Sequence, residues 1–192
     1  MGRRREFDEA EVVDKAMRAF WKNGWRDTTP QFLVEATGLS RSSLYATFGS
    51  KQGLFLAALN LYVEEQESFL SQLLADGTVR EGLERLYALM VDMMRPGGKG
   101  MTCLVASSLL EVPAEDDETV AHVARGRARM TAVYEARFQR AIDEGELDGV
   151  RTAGELAGFI ATVNDGIKIA ARAKASADQL RSITRMAVDT VC

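Results

Sequence analysis

Apolar residues recur at intervals of three and four along the whole chain, and nowhere do they alternate singly for long enough to make a strand. That period restricts the chain to packed helices, because each apolar stripe must be buried against another element. Nine stretches carry the pattern, and capping residues mark their ends. Asp8, with Glu11 three residues on, opens a helix over 8–23 that turns Val13, Met17 and Phe20 inward and ends at Gly24. Thr29-Pro30 opens a second of one to two turns, with Thr as N-cap and Pro where its missing N–H costs nothing; it stops at Thr37-Gly38. Ser40 caps a third through Phe48, Gly49-Ser50 breaks it, and a long helix follows over 51–75. Thr78-x-x-Glu81 opens a helix over 78–94, and after Pro96-Gly97-Gly98-Lys99-Gly100 another is expected over 101–110. Pro113 and the acidic run Glu115-Asp116-Asp117-Glu118 start one that reaches about residue 144, the acids suiting the positive end of the helix dipole. Thr152-x-x-Glu155 and Ser176-x-x-Gln179 are capping boxes for the last two. The fold class predicted is all-α.

Composition narrows the function. At 192 residues and 46% apolar the chain can bury a sizeable core, and a net charge of −4 with 27% charged residues excludes a disordered acidic chain. Two cysteines, Cys103 and Cys192, and a single His give neither a disulfide framework nor a zinc cluster; no metal and no cofactor are expected. A reducing cytoplasm is the simplest location, since no run of 18 apolar residues could span a membrane and the basic start lacks the apolar run of a signal peptide. Charge is uneven. Residues 1–53 hold nine Lys/Arg against seven Asp/Glu, a net of +2, while the remainder holds 15 against 21, a net of −6. An acidic protein can bind a polyanion through such a locally basic segment.

The informative segment runs from Thr29 to Lys51: a short helix, a tight turn at Gly38, and a second short helix. Phe32, Leu33, Leu39, Leu44 and Phe48 are the apolar set that would lock the two at a steep angle, and Gly38 permits the left-handed backbone of the turn. On the second helix Leu44 and Phe48 mark the buried side. Ser42, Tyr45 and Ala46 lie opposite, Ser43 and Thr47 flank them, and Arg41 stands at the N-terminal edge. A helix entering the major groove needs this small, polar profile, because hydroxyls and Arg bond base edges or phosphates and bulk would block approach. Lys51 opens the next helix, where its ammonium and exposed backbone N–H groups can hold a phosphate, and Arg3, Arg4 and Arg5 form a basic arm.

Residues 8–55 resemble the DNA-binding domain of TetR-type transcriptional regulators. The resemblance rests on the string from Gly38 to Phe55, with Leu-Tyr-x-x-Phe followed by Ser-Lys and Leu-Phe, and on Trp25-x-x-Thr28-Thr29. Val34 departs from it, standing where many members carry a small Ala. The resemblance implies a homodimeric repressor on a palindromic double-stranded DNA operator, with an N-terminal helix-turn-helix domain over 1–53 and a helical effector-binding and dimerisation domain over 54–192. By analogy Tyr45 and Lys51 contact phosphates, Thr29 anchors on the backbone, and Arg41, Ser42, Ser43 and Thr47 read bases or phosphates. Beyond residue 56 the likeness is confined to helix count, length and a Gly-x-x-Cys-Leu stretch at Cys103.

Two further sites are expected. A pocket for a small, largely apolar effector without strong negative charge is placed at Met90, Met93, Met94, Met101, Cys103, Met130, Tyr134 and Phe138, since thioethers adapt to irregular shapes and Tyr134 adds one hydroxyl. A dimer interface is placed on Leu156, Phe159, Ile160, Val163, Ile167, Leu180, Ile183 and Ala187, with Gly154-x-x-x-Gly158 allowing close helix approach. Enzyme chemistry finds little support: Gly97-Gly98-Lys99-Gly100 lacks the spacing of a phosphate loop, and no Ser-x-x-Lys occurs. Two other readings stand beside the regulator: a helical dimeric interaction protein that binds no DNA, and a thiol-based redox sensor on the same frame using Cys103.

Overall fold

The structure is a computed structural model and describes residues 7–94 and 103–192. Among the described residues there are nine helices and no strand: α1 (Glu9–Asp27), α2 (Pro30–Thr37), α3 (Arg41–Phe48), α4 (Lys51–Ala75), α5 (Val79–Met94), α6 (Leu104–Glu111), α7 (Asp117–Asp143), α8 (Ala153–Arg172) and α9 (Ala177–Val191). No helix of the described residues is long and apolar enough to cross a membrane.

The predicted caps act as caps. Asp8 accepts the Ala10 N–H, Thr29 that of Phe32 and Ser40 that of Ser43, while Thr152 and Ser176 complete reciprocal boxes with Glu155 and Gln179. Gly24 breaks α1 with φ +80°, so the regular helix ends where the sequence places it and a short turn carries the chain to Asp27. The inward stripe of α1 is Val12, Ala16, Met17, Ala19 and Phe20. Val13, expected on that stripe, is only half-buried, because it lies 100° round the helix from Val12.

The chain divides into two compact units, with the division falling inside α4 and α7. The first comprises the described part of Met1–Glu65 with Cys103–Gly126. Here α1 packs on α2 and on α6, and Phe20, Leu33, Leu44, Leu54 and Phe55 are fully buried. The second comprises the described part of Gln66–Thr102 with Arg127–Cys192. In it α5 packs on α9 and α8 on α9, around Leu83, Phe138, Ala157, Ile160 and Ile167.

Candidate nucleic-acid interface

The turn between α2 and α3 is built from local hydrogen bonds. Gly38 takes the left-handed backbone, φ +75° and ψ 8°, and its N–H returns to the Val34 carbonyl at 2.9 Å. Buried Thr37 donates its hydroxyl to the Leu33 carbonyl at 2.7 Å and accepts the Leu39 N–H at 3.3 Å. Leu33 and Leu44 are the buried pair between the helices, while Phe32, Leu39 and Phe48 are half-buried around them. This arrangement leaves the opposite side of α3 uncovered. Arg41, Ser42 and Ala46 are exposed, and Ser43, Tyr45 and Thr47 are half-buried.

Two features order that surface. Ser40 Oγ lies 2.9 Å from both the Ser42 and Ser43 hydroxyls, so three hydroxyls form one cluster at the start of α3. The Arg41 guanidinium stands over the Tyr45 ring, 5.6 Å from its centroid, which restrains an otherwise free side chain. Thr29 is exposed and holds the first turn of α2 through the Phe32 N–H at 3.1 Å.

Lys51 is placed differently from a free surface cation. Its ammonium donates to the Trp25 carbonyl at 2.6 Å and lies 4.5 Å from the centre of the Trp25 ring. Burial holds its pKa below the ordinary lysine value, against the opposing pull of Asp27 and Glu111. One N–H of three is thus committed internally, and the side chain braces the turn that leads from α1 to α2. At the same end of α4, Ser50 Oγ accepts the Gly53 N–H at 3.0 Å, and Gly53 lets the Phe48 carbonyl come so close that a Cβ there would clash with its oxygen. That contact fixes α3 against α4.

Several residues of this unit carry weight that periodicity alone does not reveal. Trp25 and Phe55 form an aromatic cluster with Phe20, at centroid distances of 4.7 Å, 5.1 Å and 6.1 Å. Glu111, at the end of α6, sits against Gly24 and reaches the Arg26 N–H at 3.4 Å. The signal for the first was present as a Trp beside a helix-breaking Gly; the second pairs residues 85 positions apart and leaves no local trace.

Of the other predicted residues, Arg3, Arg4, Arg5 and Met101 lie outside the described residues. Met90, Tyr134 and Phe138 are buried in the core of the second unit, with Met94 and Met130 packed partly buried against it; Met93 is exposed instead. Cys103, expected beside them, belongs to the first unit, where it is a free, buried thiol at the start of α6. Met90, Tyr134 and Phe138, with Met94 and Met130 against them, are thus part of one packed core. A groove of about 410 Å³ lies between α5 and α9 instead, with Arg80, Tyr87, Val91, Arg181 and Arg185 along it.

The predicted dimer residues split between two faces. Leu156, Ile160, Ile167, Leu180 and Ala187 are buried in the core of their own unit. Phe159 and Ile183 stand out at 38% and 40% exposed, and Val163 is half-buried. On the same two helices Ile169 and Met186 are also exposed. The physical reason is that α8 and α9 are apolar on more than one side, and helical spacing does not say which side the protomer itself covers. The Gly154–Gly158 pair divides likewise: a Cβ at Gly154 would meet Glu135 at 3.4 Å, whereas Gly158 faces open space.

The profile described as "Bacterial regulatory proteins, tetR family" matches residues 12–58, the segment from α1 into α4. Along the full length, the chain is 30% identical over 183 residues to the uncharacterized HTH-type transcriptional regulator YezE of Bacillus subtilis, covering 94% of each. It is 29% identical over 188 residues to the HTH-type transcriptional repressor ComR of Escherichia coli, covering 95% of this chain and 88% of ComR. Among solved structures, the TetR family transcriptional regulator CifR, a cysteine mutant complexed with 26bp double-strand operator DNA, superposes with a TM-score of 0.84 at 28% identity over the whole of both chains. The exposed hydroxyl and arginine surface of α3 therefore sits in a known setting, and the chain belongs to the TetR family of transcriptional regulators.

Proposed function

We propose that this regulator is a homodimeric repressor that binds a palindromic operator through α3 and is released by a small, largely apolar effector. The observation that carries the reading is the exposed side of α3, where Arg41, Ser42 and Ala46 face outward because Leu33 and Leu44 take the inner side. Arg41, Ser42, Ser43 and Thr47 address base edges or phosphates, Tyr45 and Lys51 contact phosphates, and Thr29 anchors on the backbone. The operator complex of CifR supports the same use of this unit. Domain roles follow: residues 1–53 contact DNA, and 54–192 bind effector and partner.

The dimer forms through the outward face of α8 and α9. Phe159 and Ile169 lie on one side of α8, Ile183 and Met186 on one side of α9, and Gly158 and Gly166 offer open space for close approach. The effector enters the Met-rich core of the second unit around Met90, Met94, Met130 and Tyr134. Selection of bound fragments from a random DNA pool tests the whole reading, since it returns half-site sequence, symmetry and spacing together. A two-fold symmetric site is expected; recovery of no enriched sequence overturns it. Ile183→Glu is expected to shift the protein from dimer to monomer in sedimentation, and a monomeric parent protein at micromolar concentration would sink the interface.

A further inference from the structure

Asn164 lies on α8, 5% exposed, among apolar side chains. Its Nδ2 donates to the Tyr134 hydroxyl of α7 at 3.1 Å. Its Oδ1 is buried and has no hydrogen-bond partner. A buried carbonyl oxygen without a donor costs more than the single bond at the other end of the amide returns, and a leucine of similar size would avoid that cost. Stability therefore does not account for an asparagine at this position.

Asp165, next along α8, is held by Arg127 at 3.0 Å and Lys168 at 3.5 Å, so the two cations of this stretch are already paired and do not call for an anion. Met94 and Met130 are only partly buried against the core, and their unbranched thioethers can move aside at small cost. We infer that Asn164 Oδ1 receives the hydrogen-bond donor of the effector, and that the effector is a small apolar alcohol or phenol whose O–H replaces the missing partner. The assignment rests on the effector site proposed above, in the second unit.

Cyclohexanol, cyclohexanone and cyclohexane share one skeleton and differ in carrying a donor, an acceptor only, or neither. Each is titrated by calorimetry against the full chain and against Asn164→Leu. The parent protein is expected to bind cyclohexanol about tenfold more tightly than the other two, the effect of one recovered buried hydrogen bond. Asn164→Leu is expected to bind all three alike, with a melting temperature equal to or above the parent's. Asn164→Val, which also removes the acceptor, provides the same comparison if the leucine variant does not fold. Equal binding of the three probes to the parent overturns the role of Asn164 while leaving the effector site standing. A preference for cyclohexanone overturns the donor class. Failure of every probe to bind the parent overturns the site together with this assignment. A melting temperature lowered by several degrees in Asn164→Leu, with the alcohol preference retained, makes the residue structural.

Discussion

The helix-turn-helix segment and the second unit solve the same problem, the covering of short apolar stripes, by different means. Between Thr29 and Ser50 the caps and the turn are held by hydrogen bonds that reach no farther than four residues, Thr29 to Phe32, Thr37 to Leu33, Gly38 to Val34, Ser40 to Ser43 and Ser50 to Gly53, and only at Lys51 and Gln52 do they reach back to Trp25 and on to Asp116 and Thr119. The second unit is held by packing between whole helices, α9 against both the sequence-distant α5 and its neighbour α8, around large side chains such as Phe138 and Ile160. For the reading surface proposed on α3, the first arrangement orders Ser42 through Ser40 and Arg41 through Tyr45, each by a contact within about one turn. For the effector site proposed in the second unit, side-chain packing can be exchanged for packing on a guest without breaking backbone hydrogen bonds.

The contrast fixes an order of expected effects. Phe138→Ala, in the core of the second unit, is expected to lower stability by about 3–5 kcal/mol in urea titration, because the ring is fully buried and leaves a cavity. Ser40→Ala, which removes a cap and the centre of the hydroxyl cluster, is expected to lower it by only about 0.5–2 kcal/mol. If the serine proves the costlier of the two, the division between local and long-range support is wrong.

Gly53→Ala comes next. The added Cβ meets the Phe48 carbonyl, so α3 and α4 must separate, at a cost of about 1–3 kcal/mol. Operator affinity is expected to fall along with the melting temperature, since the reading residues are proposed on α3; intact affinity in a destabilised variant would show that α3 is positioned by other contacts. Arg41→Ala and Lys51→Ala then separate reading from positioning. The first is expected to weaken specific binding by about 1–3 kcal/mol and leave non-specific binding unchanged, as for a base contact. The second is expected to weaken both and to flatten the dependence on salt by about one phosphate. A salt slope unchanged in Lys51→Ala would assign that ammonium wholly to its brace on Trp25.

The smallest effect concerns pH. His122 Nε2 donates to Asn60 Oδ1 at 2.7 Å, and Nδ1 accepts from Arg125 at 3.2 Å, an arrangement that needs the neutral ring. Burial first, and then Arg125, hold its pKa below the ordinary value of 6.5, with Glu118 opposing. The folded state therefore binds this proton less readily than the unfolded chain, and stability falls as pH drops below about 6.5 towards the folded pKa. His122→Gln is expected to reduce that acid-side loss in thermal melts taken between neutral pH and mildly acidic pH; an identical pH profile in the variant would remove His122 as its source.

What the sequence determined by itself was whatever short-range chemistry decides. Thr29-Pro30, Gly38, Ser40 and Gly49 each act within one turn, so the helix boundaries from residue 29 to residue 51 and the exposed side of α3 followed from reading them. The same holds for the capping boxes of α8 and α9. Tertiary structure alone decided which apolar face each later helix turns inward. Leu156 and Phe159 stand three residues apart on α8 and look alike in a stripe, yet one is buried and the other exposed. It also decided that Lys51 folds back on Trp25, that Glu111 reaches Arg26, and that Asn164 sits in the core with one end of its amide unmet. The reason is common to all of these. Periodicity states that a face is apolar, but burial is a property of the neighbour that covers it, and those neighbours lie tens of residues away along the chain.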